Sequence, residues 1–235
     1  AEAGNVQKTD AVKAAPTDTI IRPALASIAG CMLILSDKPE VYRDEANLRG
    51  LRAAAPVLFS VPGQLYDFDP RKTDHLRTTE RTAIQSGANP SPIDADQFGA
   101  VCPWWLNEIA LPFERWNVLH RLNWTAQPAA ATRVVFADLG LDPAVDYLVY
   151  EFWSGRFLGV CRDGFEALAQ EPMGLHSYAV RVRLPHPQIV STSRHLSQGG
   201  VDLVDVKWDA AAHTLSGRSR VVGGVPYELV LAGAG

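Results

Sequence analysis

Cysteine is scarce: Cys31, Cys102 and Cys161 are the only three in 235 residues. They are far apart and odd in number, which excludes a disulfide-stapled miniprotein. No CxxC and no Cys/His pair has zinc-ligand spacing, and the six histidines are scattered, so no metal site is expected. Reduced, mostly buried thiols are the expectation instead. An excess of charge of one sign is missing too. With 22 basic and 26 acidic residues the net charge is −4, and no basic stripe exists to neutralise a phosphate backbone, so no nucleic-acid partner is expected. Long apolar runs are absent. The longest, Pro23 to Leu35, is broken by Ser27 and Gly30 and is shorter than the roughly 20 residues of a bilayer span. It lacks the basic region that opens a secretory signal. No membrane partner is expected, and the compartment stays unassigned. Phosphate cradles are lacking: Gly199-Gly200 and Gly223-Gly224 read as hairpin turns. There is no Gly-x-Ser-x-Gly elbow for serine hydrolysis.

What remains is a chain with 47% hydrophobic and 20% charged residues, enough to bury a real core. Residues 1–16 lack periodicity and are expected to be frayed or disordered. Thr17-Asp18 is a capping signal for a helix through Ile20, Ile21, Leu25 and Ile28, which Gly30 stops. Cys31 to Leu35, apolar throughout, reads as a parallel strand covered on both faces. Ser36-Asp37 with Pro39 and Glu40 then predicts a helix start. Its apolar stripe is Val41, Leu48, Leu51 and Ala55, and Pro56 ends it. Val57–Val61 is a second short strand, so 17–61 has α/β grammar.

From 62 to 112 that grammar stops, and Pro62-Gly63, Asp69-Pro70, Asn89-Pro90 and Ser91-Pro92 predict an irregular connecting segment. Beyond it, 113–235 alternates short strands with turns, as an antiparallel sandwich does. The predicted strands are Glu114–Trp124, Arg133–Ala137, Tyr147–Phe152, Phe157–Cys161, Ser177–Leu184, Ile189–Ser193, Leu203–Asp209, Thr214–Val221 and Tyr227–Leu231.

Particular stretches carry a family resemblance. Arg22-Pro-Ala-Leu-Ala-Ser-Ile-Ala-Gly-Cys-Met-Leu-Ile-Leu-Ser-Asp37 resembles the last βα unit of the α-galactosidase (melibiase-like) glycoside hydrolases. Asp138-Leu-Gly-Leu141, Tyr147-Leu-Val-Tyr-Glu-Phe-Trp153 and Leu175-His-Ser177 are similar to that family's C-terminal sandwich. So are Ile189-Val-Ser-Thr-Ser-Arg-His-Leu-Ser-Gln-Gly199 and Gly224-Val-Pro-Tyr-Glu-Leu229. The resemblance covers about 17–61 and 113–232. It implies an α+β fold: a partial (β/α)-barrel remnant, the end of a (β/α)8 barrel at 17–61, followed by an antiparallel β-sandwich. It also implies exo-acting cleavage of an α-linked sugar without metal or organic cofactor. The two catalytic aspartates of such enzymes lie on earlier barrel strands, outside this chain. The chain alone is therefore expected to be inactive in a two-carboxylate mechanism. A carbohydrate is the implied ligand. The unpaired strand at 31–35 would be met by the missing barrel portion or by a second copy of the chain.

Several residues are candidates for substrate contact. Ser36 and Asp37 sit where a barrel strand meets its loop, the face on which such barrels build active sites; helix capping is the competing role for Asp37. In Cys102-Pro-Trp-Trp-Leu-Asn-Glu108, Trp104 or Trp105 offers a flat apolar face for a pyranose, or else fills the seam between the α/β piece and the sandwich. Glu108 is a nearby candidate for a ligand-binding carboxylate. The pairs Asp67/Asp69 and Asp94/Asp96 have the spacing of paired carboxylates but read first as turn caps. His195 is expected to be a packed strand residue bonded to backbone. Two alternatives to a glycosidase portion stay open: a non-catalytic glycan- or protein-binding sandwich, and a small hydrolase using Asp67, Asp69 or Glu108.

Overall fold

The computed structural model describes residues 18–30, 33, 35, 38–57, 64–66, 104–123 and 127–233. The first helix, α1 (Asp18–Ile28), turns Ile21, Ala24 and Ile28 inward, positions three and four apart that share a helix face. Gly30 follows at φ +66°, a left-handed conformation that favours glycine at a helix end. The predicted helix after residue 38 is two pieces. A 3-10 turn runs Pro39–Arg43, and Asp44, extended at φ −90° and ψ 121°, then caps α2 (Glu45–Ala54). The Asp44 carboxylate accepts from the Ala46 N–H at 2.9 Å, satisfying one of the orphan donors of a helix start. The expected stripe is also displaced: α2 buries Gly50, Ala53 and Ala54, while Leu48 and Leu51 are half-buried. Small residues face inward because α1 lies so close. A Cβ at Gly50 would stand 2.3 Å from the Thr19 carbonyl oxygen and 2.5 Å from Ile20 Cα.

Leu33, Leu35 and Val57 are not in strands. The rest of the two strands expected at 31–35 and 57–61 lies outside the described residues. The segment expected to be irregular contributes β1 (Gln64–Tyr66) and β2 (Trp104–Ala110), which corrects that expectation for these stretches. Strands β3 (Arg115–Leu122), β4 (Thr132–Val135), β5 (Tyr147–Glu151), β6 (Arg156–Cys161), β7 (Gly164–Ala167) and β8 (Leu175–Val182) follow. The last are β9 (Gln188–Thr192), β10 (Leu203–Asp209), β11 (Thr214–Ser219) and β12 (Leu229–Ala232). Six strands form one sheet in the order β1-β2-β3-β8-β5-β6, with every pair antiparallel. Two-stranded sheets β4-β7, β9-β12 and β10-β11 accompany it.

Alternation along the strands gives the central sheet two packed faces. Trp104, Leu119, Tyr147, Val149, Tyr178 and Val180 face β4, β7 and the 3-10 turn Phe136–Leu139, building a core with Val134, Phe136 and Phe165. The opposite face receives the helices: Leu122, Leu175 and Leu196 pack with Ile21, Ala24, Ile28 and Ala54. Arg181 is also buried on this side. Its guanidinium donates to Glu114 at 2.7 Å, Val190 O at 2.9 Å and Gln198 O at 2.7 Å, and lies 3.7 Å from the Trp116 ring centroid.

Candidate functional site

The C-terminal end of α2 is held by the loop after β9. Arg194 Nη1 donates to Arg52 O at 2.8 Å and the Leu196 N–H to Ala53 O at 2.9 Å, so two terminal helix carbonyls find partners in that loop. Between α2, the β5–β6 turn and β9 this leaves a groove of about 850 Å³, within the roughly 300–1,000 Å³ of small-molecule sites. Its aromatic wall is Tyr150, Phe152 and Trp153; hydroxyls come from Ser154, Ser191, Thr192 and Ser193.

Trp153 is fixed from two sides. Glu151, fully buried, accepts the N–H groups of Trp153 at 3.1 Å, Ser154 at 2.7 Å and Ser177 at 2.9 Å, and the Ser154 hydroxyl at 2.6 Å. Burial pushes this carboxyl up, but His176, Ser154 and Ser177 outweigh it and hold it below the usual range, as a carboxylate with several donors should be. The indole N–H of Trp153 donates to Ser177 Oγ at 3.0 Å. Arg49 donates to Trp153 O at 2.6 Å and stands 5.7 Å from the ring centroid.

Behind the groove lies a buried polar seam. Ser177 Oγ also contacts His120 Nδ1 at 2.9 Å. His195 Nδ1 accepts from the Ser197 N–H at 3.0 Å, which leaves its ring proton on Nε2, 3.5 Å from Ser27 Oγ in α1. Burial, then the neighbouring His195, lowers His120 to about 3. Burial likewise lowers His195 to about 4. Both rings are buried and their lowered pKa values favour the neutral form, so this seam joins elements and lies out of reach of a ligand in the groove. His195 is packed as expected, though just past β9 and against a helix.

Among the described residues, the groove contains none of those proposed from sequence as substrate contacts. Ser36 and Asp37 lie outside the described residues, as do Asp67, Asp69, Asp94 and Asp96. Trp104 is 5% exposed, in the core with Arg121 5.2 Å from its ring centroid, which corrects its reading as a sugar platform: no ring face is left for a ligand. Trp105 is half-buried against the helix-side cluster. Glu108 is exposed, 3.5 Å from Arg115, and alternation puts it on the other face of β2 from Trp105. Cys161 is a half-buried free thiol; Cys31 and Cys102 lie outside the described residues. Sequence reading did not assign Arg49, Trp153 or Arg194 to a site, although the last two lie in stretches that carry the resemblance. The available signal was Glu151, a lone acid closing an apolar strand before Phe-Trp-Ser-Gly.

No family model and no curated protein matches the chain. Solved structures do. Similarity to α-galactosidase I from Mortierella vinacea extends over 71% of this chain and 36% of that one, at 10% identity and a TM-score of 0.46. For a β-L-arabinopyranosidase from Geobacillus stearothermophilus the shares are 72% and 31%, with 9% identity and a TM-score of 0.43. An isomalto-dextranase from Arthrobacter globiformis T6, complexed with panose, is matched over 75% and 26% at 17% identity and a TM-score of 0.45. The chain thus spans about a third of the length of the first two structures.

Proposed function

We propose that this chain is the C-terminal portion of a glycoside hydrolase acting on α-linked sugars, with the catalytic aspartates elsewhere in the protein. In this reading 17–61 is the end of a (β/α)8 barrel, and the antiparallel sheets form a sandwich that buttresses it. The observation that carries it is the meeting of two stretches on which the sequence resemblance rests: Ser27 in α1 and His195 after β9 are 3.5 Å apart. Around them Ile21, Ala24 and Ile28 share one core with Leu122, Leu175 and Leu196. A helical piece packed on an antiparallel sheet in this way suits a barrel end seated on its C-terminal domain. Leu35, 57% exposed, adds an apolar side chain where further barrel strands would pack.

The test compares this chain with one extended by the coding sequence upstream of Ala1, using aryl α-galactosides and related α-linked substrates. The expected result is turnover by the extended chain and none by this chain alone. Turnover by this chain alone, or an upstream sequence without barrel strands bearing aspartates, overturns the reading. The aromatic groove favours a second reading, a non-catalytic glycan-binding module. That reading gains if the extended chain binds glycans but hydrolyses none.

A further inference from the structure

The groove beside α2 carries an electrostatic feature that a neutral ligand would not use. Arg49 and Arg52 lie one turn apart on α2, and Arg194 reaches the Arg52 carbonyl at 2.8 Å, so three guanidinium groups line one cleft. Arg52 is satisfied by both oxygens of Glu45. Neither Arg49 nor Arg194 has a carboxylate within ion-pair distance among the described residues. Asp202 stands farther from Arg194, its carboxylate accepting from the Tyr227 hydroxyl at 2.8 Å. The remaining acid of the lining is Glu228, whose charge acts on the Tyr150 phenol.

The geometry points to a binding site for an acidic saccharide, with its uronate carboxylate on Arg49 and Arg194. The pyranose face would lie along Trp153 and its neighbours, with hydroxyls toward Ser154 and Ser193. A guanidinium presents a planar fork of donors that matches a carboxylate. Aromatic walls supply rigid apolar area for the C–H face of a sugar. Trp153 is pre-set for this, since Ser177 and Glu151 already hold its ring and backbone, and a preorganised wall loses little freedom on binding. The choice of a saccharide rests on the glycosidase or glycan-binding reading; the choice of an acidic one rests on the two guanidinium groups.

The experiment is titration calorimetry on this chain with trigalacturonate and with neutral galactotriose, so that it reads binding and needs no hydrolysis. Saturable binding of trigalacturonate is expected, at least tenfold tighter than galactotriose and weakening as salt is raised. Arg49→Gln and Arg194→Gln should each weaken it about tenfold or more, the size of losing a charge-assisted contact. Glu228→Gln, which removes a like charge from the cleft, should strengthen it severalfold. Melting curves identify any variant that is not folded, and Glu228→Gln tests the sign through a surface position. Equal affinity for the two sugars overturns the acidic specification. No binding of either, or binding indifferent to all three substitutions, overturns the site. Neither failure touches hydrolysis by the extended chain, which is assayed separately.

Discussion

Single residues differ widely in what they hold together. Gly50 is required by distance, since a methyl group there would sit 2.3 Å from the Thr19 carbonyl. Gly50→Ala should therefore force α1 and α2 apart and cost about 1–3 kcal/mol, the range for overpacking a filled contact. Gly223→Ala, with nothing within 4 Å of the added carbon, is the control; urea denaturation of both variants should separate them. Arg181 makes the complementary case. Its side chain is fully buried against Glu114, which is 18% exposed. Burial lowers the guanidinium pKa while the Glu114 charge and hydrogen bond raise it. Glu114→Gln keeps the shape but strands the buried cation, so stability should fall by roughly 3 kcal/mol. Glu108→Gln breaks only an exposed pair with Arg115 and should stay within about 0.5 kcal/mol. Equal effects would mean that Arg181 is solvated some other way.

Among elements, α2 matters most because it forms a wall of the groove. Its start depends on Asp44, and Asp44→Ala should cost about 1 kcal/mol. Hydrogen exchange should show the loss concentrated in the first turn, while the end held by Arg194 and Leu196 keeps its protection. Loss spread evenly over the helix would mean that packing, and not the cap, sets its start. The cap also explains why part of this region escaped prediction. Ser36-Asp37 with Pro39 has the form of a helix start, but Asp44 breaks the run and starts α2 later, rotating the inward face onto alanines. Each of the nine strands predicted between 114 and 231 overlaps an observed one, because turn residues bracket them. Three others, β1, β2 and β7, were not predicted, and for the last two the reason is physical. β2 buries Trp104 on one face and Asn107 and Ile109 on the other, so its sequence does not alternate. β7 has four residues and begins directly after Asp163 at φ +62°. The groove was illegible because its parts are separated by 104 positions between Arg49 and Trp153 and 142 between Arg52 and Arg194.

At the scale of the whole molecule, the helices and the central sheet share a core whose seam contains two histidines held neutral. His120 faces Ser177 and His195; His195 faces Ser27 and Ser197, with the Arg194 charge further lowering it. In the unfolded chain each titrates at its ordinary 6.5, whereas in the folded protein the values are about 3 and about 4. Because the unfolded chain binds the extra protons, the stability this confers is complete above pH 6.5. It is lost as pH falls from there toward the folded values, about 4 for His195 and about 3 for His120, at up to about 1.4 kcal/mol per pH unit for each ring. Glu151, with its lowered pKa, extends the decline below the usual carboxylate range. Asp202 acts the other way: burial raises it, so its contribution is present at acid pH and lost as pH rises through its folded value. Two rings against one carboxyl leave the balance falling on acidification. The urea midpoint should drop steeply between pH 6.5 and 5, and fluorescence of Trp116 and Trp153 should change together with the loss of helical signal, since the seam touches both the helices and the sheet. His120→Asn and His195→Asn should each flatten the slope by about one proton, whatever they do to stability at pH 7. A midpoint indifferent to pH across that interval would mean that both rings reach solvent in the folded protein, and that the helices are not welded to the sheet at this point.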